Sequence, residues 1–271
     1  MTDPQPDEQP DEQPAASRTL ELEVEVVGTP EEVWQAIATG PGISSWYVPH
    51  DVEEREGGHA VASFGDAPEM QISGRVAAWD PPRRIVFDGG EGVGGLAFEW
   101  LVEARDQGTC VVRLLNSGFG EGEPWDDQYD AMENGWRIFL LNLQLHCRHF
   151  PGRPATSMQP MTMWPLDREP AWQRLTDRLG LPSEPVVGDE VRATAGDGLG
   201  YAGTVAAVGP TWMALLTSEP APGTAFIAAE HGGGACGVSV WGYLYGDDAA
   251  AIVERDKPRW QAWLADQAES T

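Results

Sequence analysis

Residues 74–81 read GRVAAWDP, and residues 203–210 read GTVAAVGP, with the same Gly, Val, Ala, Ala and Pro in the same places. The two stretches lie 129 positions apart (203 − 74). Each ends at a turn residue after small and β-branched residues, which is typical of a strand that enters a turn. If the flanking sequence repeats as well, this chain of 271 residues contains two copies of one unit.

Further landmarks recur in the same order along both halves of the chain. The offset between corresponding residues of the two copies falls from 129 at GRVAAWDP to 128, 126 and 124 at the later landmarks, as small deletions in turns would produce. A chance match would not keep both the order and the offset. The repetition therefore predicts a tandem duplication. The pairs are PEEVWQAI (30–37) with PAWQRL (170–175), GLAF (95–98) with GTAF (223–226), CVVRLLNSGFG (110–120) with CGVSVWGYLYG (236–246), and Trp136 and Leu140 with Trp260 and Leu264.

The first copy has a pattern of strands and helices that predicts an α+β fold. TLELEVEVVG (19–28) alternates apolar residues with Glu, which indicates a half-buried strand. Thr29 and Pro30 suit the start of a helix, and Gly40-Pro41-Gly42 ends it before a second short helix. Six strands follow, and Pro124 then opens a long helix that we expect to lie across the concave face of a curved antiparallel sheet. The predicted strands are 50–55, 58–64, 69–78, 83–88, 95–105 and 109–117, and the apolar positions of the helix are Trp125, Tyr129, Met132, Trp136, Phe139, Leu140, Leu143, Cys147 and Phe150.

Two stretches of the first copy resemble a known superfamily. EEVWQAIATGPGISSWYVP (31–49) and ENGWRIFLLNL (133–143) are similar to the START/SRPBCC helix-grip proteins, most of all to the branch related to the activator of heat-shock-protein-90 ATPase. The resemblance covers about 20–150. It implies a sheet wrapped around a long C-terminal helix, with a cavity between them that often holds an apolar ligand, and it carries no shared catalytic motif. With the repeat, it predicts two helix-grip domains, over 18–151 and 152–271.

The second copy is shorter than the first. Trp34 and Gly58 lie 24 positions apart, whereas Trp172 and Gly188 lie 16 apart, so the stretch matching 41–47 is missing. In the helix-grip design that small helix lines one end of the cavity. We therefore expect a smaller or collapsed cavity in the second copy and any ligand in the first. The closing helix, predicted over 247–267, contains Pro258, which we expect to kink it or to mark a later start.

Aromatic and apolar side chains of the first copy are the candidate lining of the cavity. The alternative is that they form a solid core, since aromatic residues dominate core packing. Pockets for small molecules are mostly apolar with a few polar anchors, and Arg113, Asn116 and Gln128 are candidates for those anchors. The predicted entrance lies near Trp46 and Tyr47. The candidate lining residues are Trp46, Tyr47, Trp79, Phe98, Trp100, Tyr129, Met132, Trp136, Phe139 and Leu140.

Other reactive residue types do not form a recognisable catalytic or metal-binding pattern. His146, Cys147 and His149 lack a neighbouring carboxylate, and positively charged side chains suit a helix C-terminus without any ligand. Cys110 and Cys236 occupy equivalent places in the repeat, which favours a structural role. We therefore predict no catalytic residue, no metal and no cofactor. Two further groups are expected to be solvated: the acids Glu121, Glu123, Asp126, Asp127 and Asp130, and the turn formed by His231 and Gly232–Gly234.

Composition excludes several classes of partner. The formal charge of −26 repels nucleic-acid phosphates and anionic membranes. No apolar run is long enough to span a bilayer. Residues 1–17 form an acidic, Pro-rich stretch without the features of a signal peptide, so we expect a disordered tail on a cytoplasmic protein.

Together these observations predict a non-catalytic protein that binds a small hydrophobic ligand. Two alternatives stay open: a cyclase- or hydrolase-like enzyme that uses the same cavity, and a co-chaperone-like module whose protein partner the residues do not identify.

Overall fold

A computed structural model describes residues 18–65, 67–90, 96–119, 123–182, 184–230 and 235–269; the side chains of 123–128, 130 and 131 are not part of that description. The tail over 1–17, predicted to be disordered, lies outside these ranges. Within them the chain forms two antiparallel sheets of seven strands each, and a long helix follows the last main strand of each sheet.

The first sheet has its strands in the order β1-β7-β6-β5-β4-β3-β2. The alternating stretch predicted as a strand forms β1, whose apolar residues face the core while its Glu residues face outward. All neighbouring strands are antiparallel, and β1 pairs with β7 along its whole length. The six strands predicted after residue 49 are all present. The bounds are β1 (Arg18–Val27), β2 (His50–Val52), β3 (His59–Ser63), β4 (Gln71–Asp80), β5 (Arg84–Asp88), β6 (Ala97–Ala104) and β7 (Thr109–Phe119).

Two helices connect β1 to β2. The first, α1 (Pro30–Ala38), begins with a capping box, in which the Thr29 hydroxyl accepts from the Glu32 backbone N–H and the Glu32 carboxylate accepts from the Thr29 N–H. Val33, Trp34 and Ile37 bury its apolar face. The second, α2 (Gly40–Ile43), is one turn long and leads into turns over residues 44–47.

The long helix α3 (Glu123–His149) contacts both sheets. Trp136, Leu140 and Leu143 are buried in the core under the first sheet, as the predicted apolar stripe requires. A second apolar stripe, which the sequence analysis did not single out, faces the other way. Ile138, Leu141 and Leu145 follow one another at helical spacing and pack against the outer face of the second sheet, where Phe226, Tyr243 and Trp241 lie. The two domains therefore share α3 as a common layer.

The second sheet repeats the topology of the first. Its main strands follow the order β10-β11-β12-β13-β14, and two short strands, β8 and β9, both pair with β14 where β1 pairs with β7 in the first copy. GTVAAVGP lies in and just after β11 as GRVAAWDP lies in and just after β4, so the tandem duplication of a helix-grip unit is confirmed. The bounds are β8 (Thr156–Met158), β9 (Met161–Trp164), α4 (Arg168–Leu179), β10 (Glu190–Gly196), β11 (Leu199–Gly209), β12 (Trp212–Glu219), β13 (Gly223–Glu230), β14 (Cys236–Leu244) and α5 (Ala249–Glu269).

The second copy is shortened where the sequence predicted it. Across the described residues between α4 and β10 there is no counterpart of α2 or of β2. The expectation that Pro258 marks a later start of the closing helix is wrong, because α5 runs continuously from Ala249 through Pro258. Cys110 and Cys236 are fully buried in β7 and β14, which agrees with a structural role. No helix within the described ranges is long and apolar enough to cross a membrane.

Candidate ligand cavity

A cavity of about 570 Å³ lies between α3 and the concave face of the first sheet. Its lining is mostly apolar and aromatic, and its volume falls in the range usual for small-molecule sites. Seven of the ten residues predicted to line it do so: Trp46, Tyr47, Phe98, Trp100, Met132, Trp136 and Phe139.

The other three predicted residues lie elsewhere in the domain. Trp79 packs edge-on against Trp34 of α1, with the two ring centroids 5.1 Å apart, at the opposite end of the sheet. Tyr129 packs against Phe119 and lies under the Arg18 guanidinium. Leu140 is buried in the core. They were grouped with the lining residues because helical and strand periodicity give the face of an element but not the position along it.

Aromatic rings form a continuous wall around Trp136. Its ring centroid lies 4.7 Å from that of Tyr47, 5.4 Å from that of Trp100 and 5.8 Å from that of Phe98. The buried Nε1 of Trp136 finds no acceptor among the described residues, whereas Nε1 of Trp46 donates to the Ala36 carbonyl at 2.8 Å. Trp46 is therefore held by the surrounding protein, and Nε1 of Trp136 has essentially no accessible surface, so the Trp136 ring lines the cavity through its carbon atoms.

The mouth of the cavity lies at the end of the β3–β4 hairpin, where β3 ends and β4 begins. Phe64 is 42% exposed and Ile72 is 61% exposed, and both line the cavity. The entrance predicted near Trp46 and Tyr47 needs correction, because Trp46 is only 1% exposed and lies on the inner wall. Tyr47 does stand beside the mouth, with its ring 6.1 Å from that of Phe64.

The contribution of the β3–β4 hairpin was not predicted, whereas the short helix that was expected to line one end of the cavity does so through Ile43. The strand β3 is only five residues long and the alternation along β4 is weak, so no pattern marked these residues as lining. The signal that existed was a large apolar residue in each of the predicted strands 58–64 and 69–78, Phe64 and Ile72. The lining residues not predicted are Ile37, Ile43, His50, Ala60, Ala62, Phe64, Ile72, Ser73, Gly74, Phe87, Asp88, Gly89, Leu96 and Gly135.

Besides Tyr47, the titratable side chains His50 and Asp88 line the cavity. His50 Nδ1 lies 2.8 Å from the Val48 carbonyl oxygen; because a carbonyl can only accept, Nδ1 carries the hydrogen and Nε2 is left as an acceptor. Burial lowers the pKa of His50, so the ring is neutral at pH 7. Asp88 accepts from Nε of Arg75 at 2.9 Å, and this guanidinium lowers the pKa of the carboxyl group.

Two of the three predicted polar anchors, Arg113 and Asn116, do not line the cavity. Arg113 lies on the outer face of the first sheet, within reach of Glu21, Glu23 and Glu103. Asn116 is fully buried on the inner face and donates to the Ala97 carbonyl, but it is not part of the lining. The side chain of Gln128 lies outside the described residues. His50, a polar group that does line the cavity, could not be identified as such from sequence because its position depends on tertiary neighbours.

In the second domain, a tyrosine fills the corresponding space. Tyr201 is the counterpart of Ile72 (201 − 129), and it is 1% exposed. Its ring stacks on that of Trp260, the counterpart of Trp136, with centroids 5.7 Å apart and an interplanar angle of 8°. A Cβ on residue 242 would collide with the Tyr201 hydroxyl, so Gly242 is required at the place where the first domain has Asn116 (242 − 126).

In the closing helix α5 of the second domain, an ion pair occupies the positions that border the cavity in α3. Met132 and Gly135 of α3 line the cavity, and their counterparts in α5 are Asp256 and Arg259 (256 − 124 and 259 − 124). Arg259 donates to the Asp256 carboxylate at 2.8 Å. It also donates to the Asp197 carbonyl, which links α5 to the turn before β11.

The remaining candidate residues contribute to structure or lie outside the described ranges. His146 Nδ1 is bonded to the Tyr245 hydroxyl at 2.8 Å and is buried, while His149 is exposed. Among the described residues no group of three or more potential ligands could hold a metal ion. The turn with His231 and Gly232–Gly234, Glu121, and the side chains of Glu123, Asp126, Asp127 and Asp130 are not described.

The strand order, the gripping helix and the enclosed cavity define a helix-grip protein. Residues 28–146 match the sequence model of the family described as "Activator of Hsp90 ATPase homolog 1-like protein". The first domain is therefore an AHSA1-like SRPBCC domain, as its resemblance predicted. A search of curated proteins found no match.

Solved structures with similarity to the chain cover one or both domains. The Aha1 dimer from Colwellia psychrerythraea is 16% identical with a TM-score of 0.42 and covers 49% of this chain and 97% of its own. The di-domain ARO/CYC BexL from the BE-7585A biosynthetic pathway is 17% identical with a TM-score of 0.43 and covers 94% of this chain and 99% of its own. CalU16 from Micromonospora echinospora is 21% identical with a TM-score of 0.40, over 50% of this chain and 78% of its own. The fold assignment rests on the topology and register described above.

Proposed function

We propose that the first domain binds a small, ring-containing apolar ligand in the cavity under α3. The observation that carries this proposal is the contrast between the two copies of one fold. The second copy fills the space with Tyr201, while the first leaves about 570 Å³ open and lines it with aromatic rings. An unfilled space of this kind forfeits packing energy, so its retention favours a use for it.

The lining suggests the chemistry of the ligand. Flat aromatic walls formed by Tyr47, Trp100 and Trp136 favour a ring system. The neutral His50 offers an acceptor at Nε2. The ligand class that fits is an uncharged ring compound with one hydrogen-bond donor, such as a hydroxyl group. The charge of −26 disfavours anionic ligands.

Gly135 allows a test that does not depend on destabilising the domain. It lies in α3, lines the cavity, and has no described atom within 4 Å of the position that a Cβ would take. Gly135→Leu fills the cavity with a side chain, and Gly135→Ala is the matched control because it adds only one methyl group. Both changes replace Gly inside a helix and should stabilise the domain by about 1 kcal/mol.

The binding probe is N-phenyl-1-naphthylamine, an uncharged ring compound whose fluorescence rises in apolar surroundings. We expect the wild-type chain and Gly135→Ala to bind it and Gly135→Leu to lose binding by about tenfold or more, since a volume-filling side chain excludes the probe. A wild-type chain that does not bind the probe, or equal binding by Gly135→Leu, would contradict the proposal.

His50 is the observation that favours the enzyme as a second candidate. A neutral His with a free Nε2 in an apolar cavity has the protonation state that a general base needs. A cyclase or hydrolase of this kind would lose turnover in His50→Gln while retaining probe affinity. Hydrolysis of p-nitrophenyl butyrate, an apolar ester, tests the hydrolase form; no turnover by the wild-type chain above a His50→Gln background would count against it.

The exposed apolar residues at the mouth do not require a separate protein-docking surface. Phe64, Met70 and Ile72 are each at least 40% exposed. Phe64 and Ile72 line the cavity itself, and the Met70 carbonyl accepts from the Phe64 N–H. The patch is therefore accounted for as the entrance through which an apolar ligand would pass.

A further inference from the structure

The segment Ser45–Tyr47 carries two residues of the cavity wall and is the segment that the second copy lacks. It follows α2, forms only turns, and has no partner strand. Carbonyl groups at the end of a helix have no intrahelical partners and must find others. In this chain the partners of all three carbonyls come from α3, from the connection between the domains, or from the second domain.

Ser45 is bonded at two atoms. The Tyr245 hydroxyl donates to the Ser45 carbonyl at 3.2 Å, and the Ser45 hydroxyl oxygen accepts from the Ala155 N–H at 2.8 Å. Tyr245 follows β14 of the second domain. Because its hydroxyl hydrogen goes to Ser45, His146 Nδ1 donates to the Tyr245 oxygen at 2.8 Å.

Trp46 is held through a relay. The Asn142 amide of α3 donates to the Trp46 carbonyl at 3.0 Å. The same amide accepts, through Oδ1, from the Thr224 hydroxyl of β13 at 2.7 Å. Asn142 and Thr224 are both fully buried, so this pair fixes the orientation of the amide.

Tyr47 is held at its carbonyl and at its ring. Gln159, between β8 and β9, donates to the Tyr47 carbonyl at 3.2 Å and lies 2.9 Å from the Tyr243 hydroxyl. The Tyr47 ring contacts Phe139 edge-on at 4.5 Å. Phe139 in turn stacks on Trp241 of β14, with centroids 5.2 Å apart and an interplanar angle of 6°.

The outer face of the second sheet is built differently from its counterpart in the first. Trp241 and Tyr243 stand where the first domain has Leu115 and Ser117 (offset 126), next to the ion-paired Arg113. On this face the first sheet carries Arg113 and Ser117 beside Leu115, whereas the second carries two aromatic rings, of which Trp241 stacks on the wall residue Phe139.

We infer that the second domain is a positioning element for the ligand site of the first: Trp241, Tyr243, Gln159 and Thr224 hold the segment Ser45–Tyr47 and the ring of Phe139 in place. The inference rests on the proposed function. It assigns to the copy without an open cavity a role in the affinity of the copy that has one, without any contact between the second domain and the ligand.

The test uses the full chain and three variants. Trp241→Ala removes the stacked ring behind Phe139. Trp241→Phe keeps a ring, and because Trp241 Nε1 has no acceptor among the described residues, it sacrifices no hydrogen bond. Leu215→Ala is the control, since Leu215 is fully buried on the inner side of the second sheet, in the core under α5. The readouts are the Kd and dissociation rate of N-phenyl-1-naphthylamine and the amide hydrogen exchange of residues 43–48.

We expect Trp241→Ala to weaken probe binding about fivefold to tenfold and to speed dissociation, because one aromatic pair behind the wall is lost. Exchange at residues 43–48 should accelerate in the same variant. Trp241→Phe should restore both values to within about twofold of the wild type, since the ring stacking remains. Leu215→Ala should lower the stability of the second domain while leaving probe affinity and exchange at 43–48 unchanged.

Two results would overturn the inference. If the wild type binds the probe and Gly135→Leu blocks it, but Trp241→Ala binds as the wild type does or no worse than Leu215→Ala, the second domain does not position the site and the proposed function still stands. If the wild type does not bind the probe, the proposed function fails and the inference about its ligand site fails with it, whatever the exchange at 43–48 shows.

Discussion

The two domains share one topology but treat the space under the closing helix in opposite ways. In the first, Ile72 stands at an open mouth and Gly135 leaves room on the helix. In the second, Tyr201 fills the interior and Arg259 closes the helix side through its ion pair with Asp256. Two differences therefore separate an open from a filled interior: the side chains at these equivalent positions, and the region of α2 and β2, which lines the first cavity and has no counterpart among the described residues of the second domain.

The outer faces of the two sheets differ as well. In β1 of the first sheet Glu residues alternate with apolar ones, so that face is solvated. In β13 and β14 nearly every residue is buried on both faces, because α3 covers the outer side. The second domain is therefore the more completely packed of the two, and substitutions should reveal the difference.

The largest expected effect separates the two equivalent tryptophans. Trp260→Ala removes a fully buried ring stacked on Tyr201 and should cost about 3–5 kcal/mol of unfolding free energy. Trp136→Ala removes a ring that borders an open cavity. It should therefore cost clearly less unfolding free energy than Trp260→Ala, and it should weaken probe binding more. Denaturant unfolding and probe titration of both variants measure this. Equal stability losses with no difference in probe binding would show that both halves are solid cores.

The next largest effect concerns the contact between the domains. Burial lowers the pKa of His146 to about 4, below the value of about 6.5 for an unfolded chain. Between these values the unfolded chain binds the extra proton and the folded chain does not, so stability falls as the pH is lowered from 7 to 4, by about 3 kcal/mol from this group.

His146→Asn supplies the control for this titration, because it keeps a side-chain donor but cannot be protonated. The stability advantage of the wild type over His146→Asn should shrink by about 3 kcal/mol between pH 7 and pH 4. Urea unfolding of both chains across that range measures the change. A pH-independent difference would mean that His146 is not buried against Tyr245.

A smaller effect is expected from making the second domain resemble the first. Tyr201→Ile introduces the residue found at the equivalent place in the first domain and should lower the unfolding free energy by about 2 kcal/mol. Loss of the ring is destabilising, but the cost is limited because the hydroxyl group that is removed has no partner among the described residues. The number of N-phenyl-1-naphthylamine molecules bound per chain should rise from one to two. Tyr201→Phe keeps the ring and should leave the number at one; a second site in that variant too would argue against Tyr201 as the filling residue.

The smallest effect is expected from removing residues 1–17. An acidic, Pro-rich stretch buries almost no apolar surface, so the deletion should leave the melting temperature within about one degree and probe binding unchanged. Differential scanning calorimetry of the two chains tests this. A drop of several degrees would show that the tail docks on one of the domains and that the comparison between them is incomplete.

Much of the architecture could be predicted because its signals are local in the chain. The alternation in 19–28, the capping residues Thr29 and Glu32, and the collinear landmarks up to Trp260 and Leu264 each depend on neighbours along the sequence. The apolar stripe of Ile138, Leu141 and Leu145 was also visible, and so were the continuous apolar runs of the strands over 223–230 and 236–244. Such runs are typical of strands buried on both faces, and they could have indicated that α3 is shared.

The site itself followed only in part from the residues. Periodicity placed Trp136 and Phe98 on inward faces, but it could not tell that Trp79 and Tyr129 lie beyond the ends of the cavity, or that the mouth is formed by Phe64 and Ile72. These outcomes depend on how far along its axis each element lies against its neighbours.

The duplication and the helix-grip class could be predicted from the sequence alone, because order, period and caps are properties of contiguous residues. The open space under one helix, the tyrosine that fills its counterpart, and the bonds from Tyr245 and Gln159 to the cavity wall were decided by the tertiary structure. The physical reason is that each depends on groups far apart in the chain: Tyr201 stacks on Trp260, 59 positions away (260 − 201), and the two bonds join groups 200 and 112 positions apart.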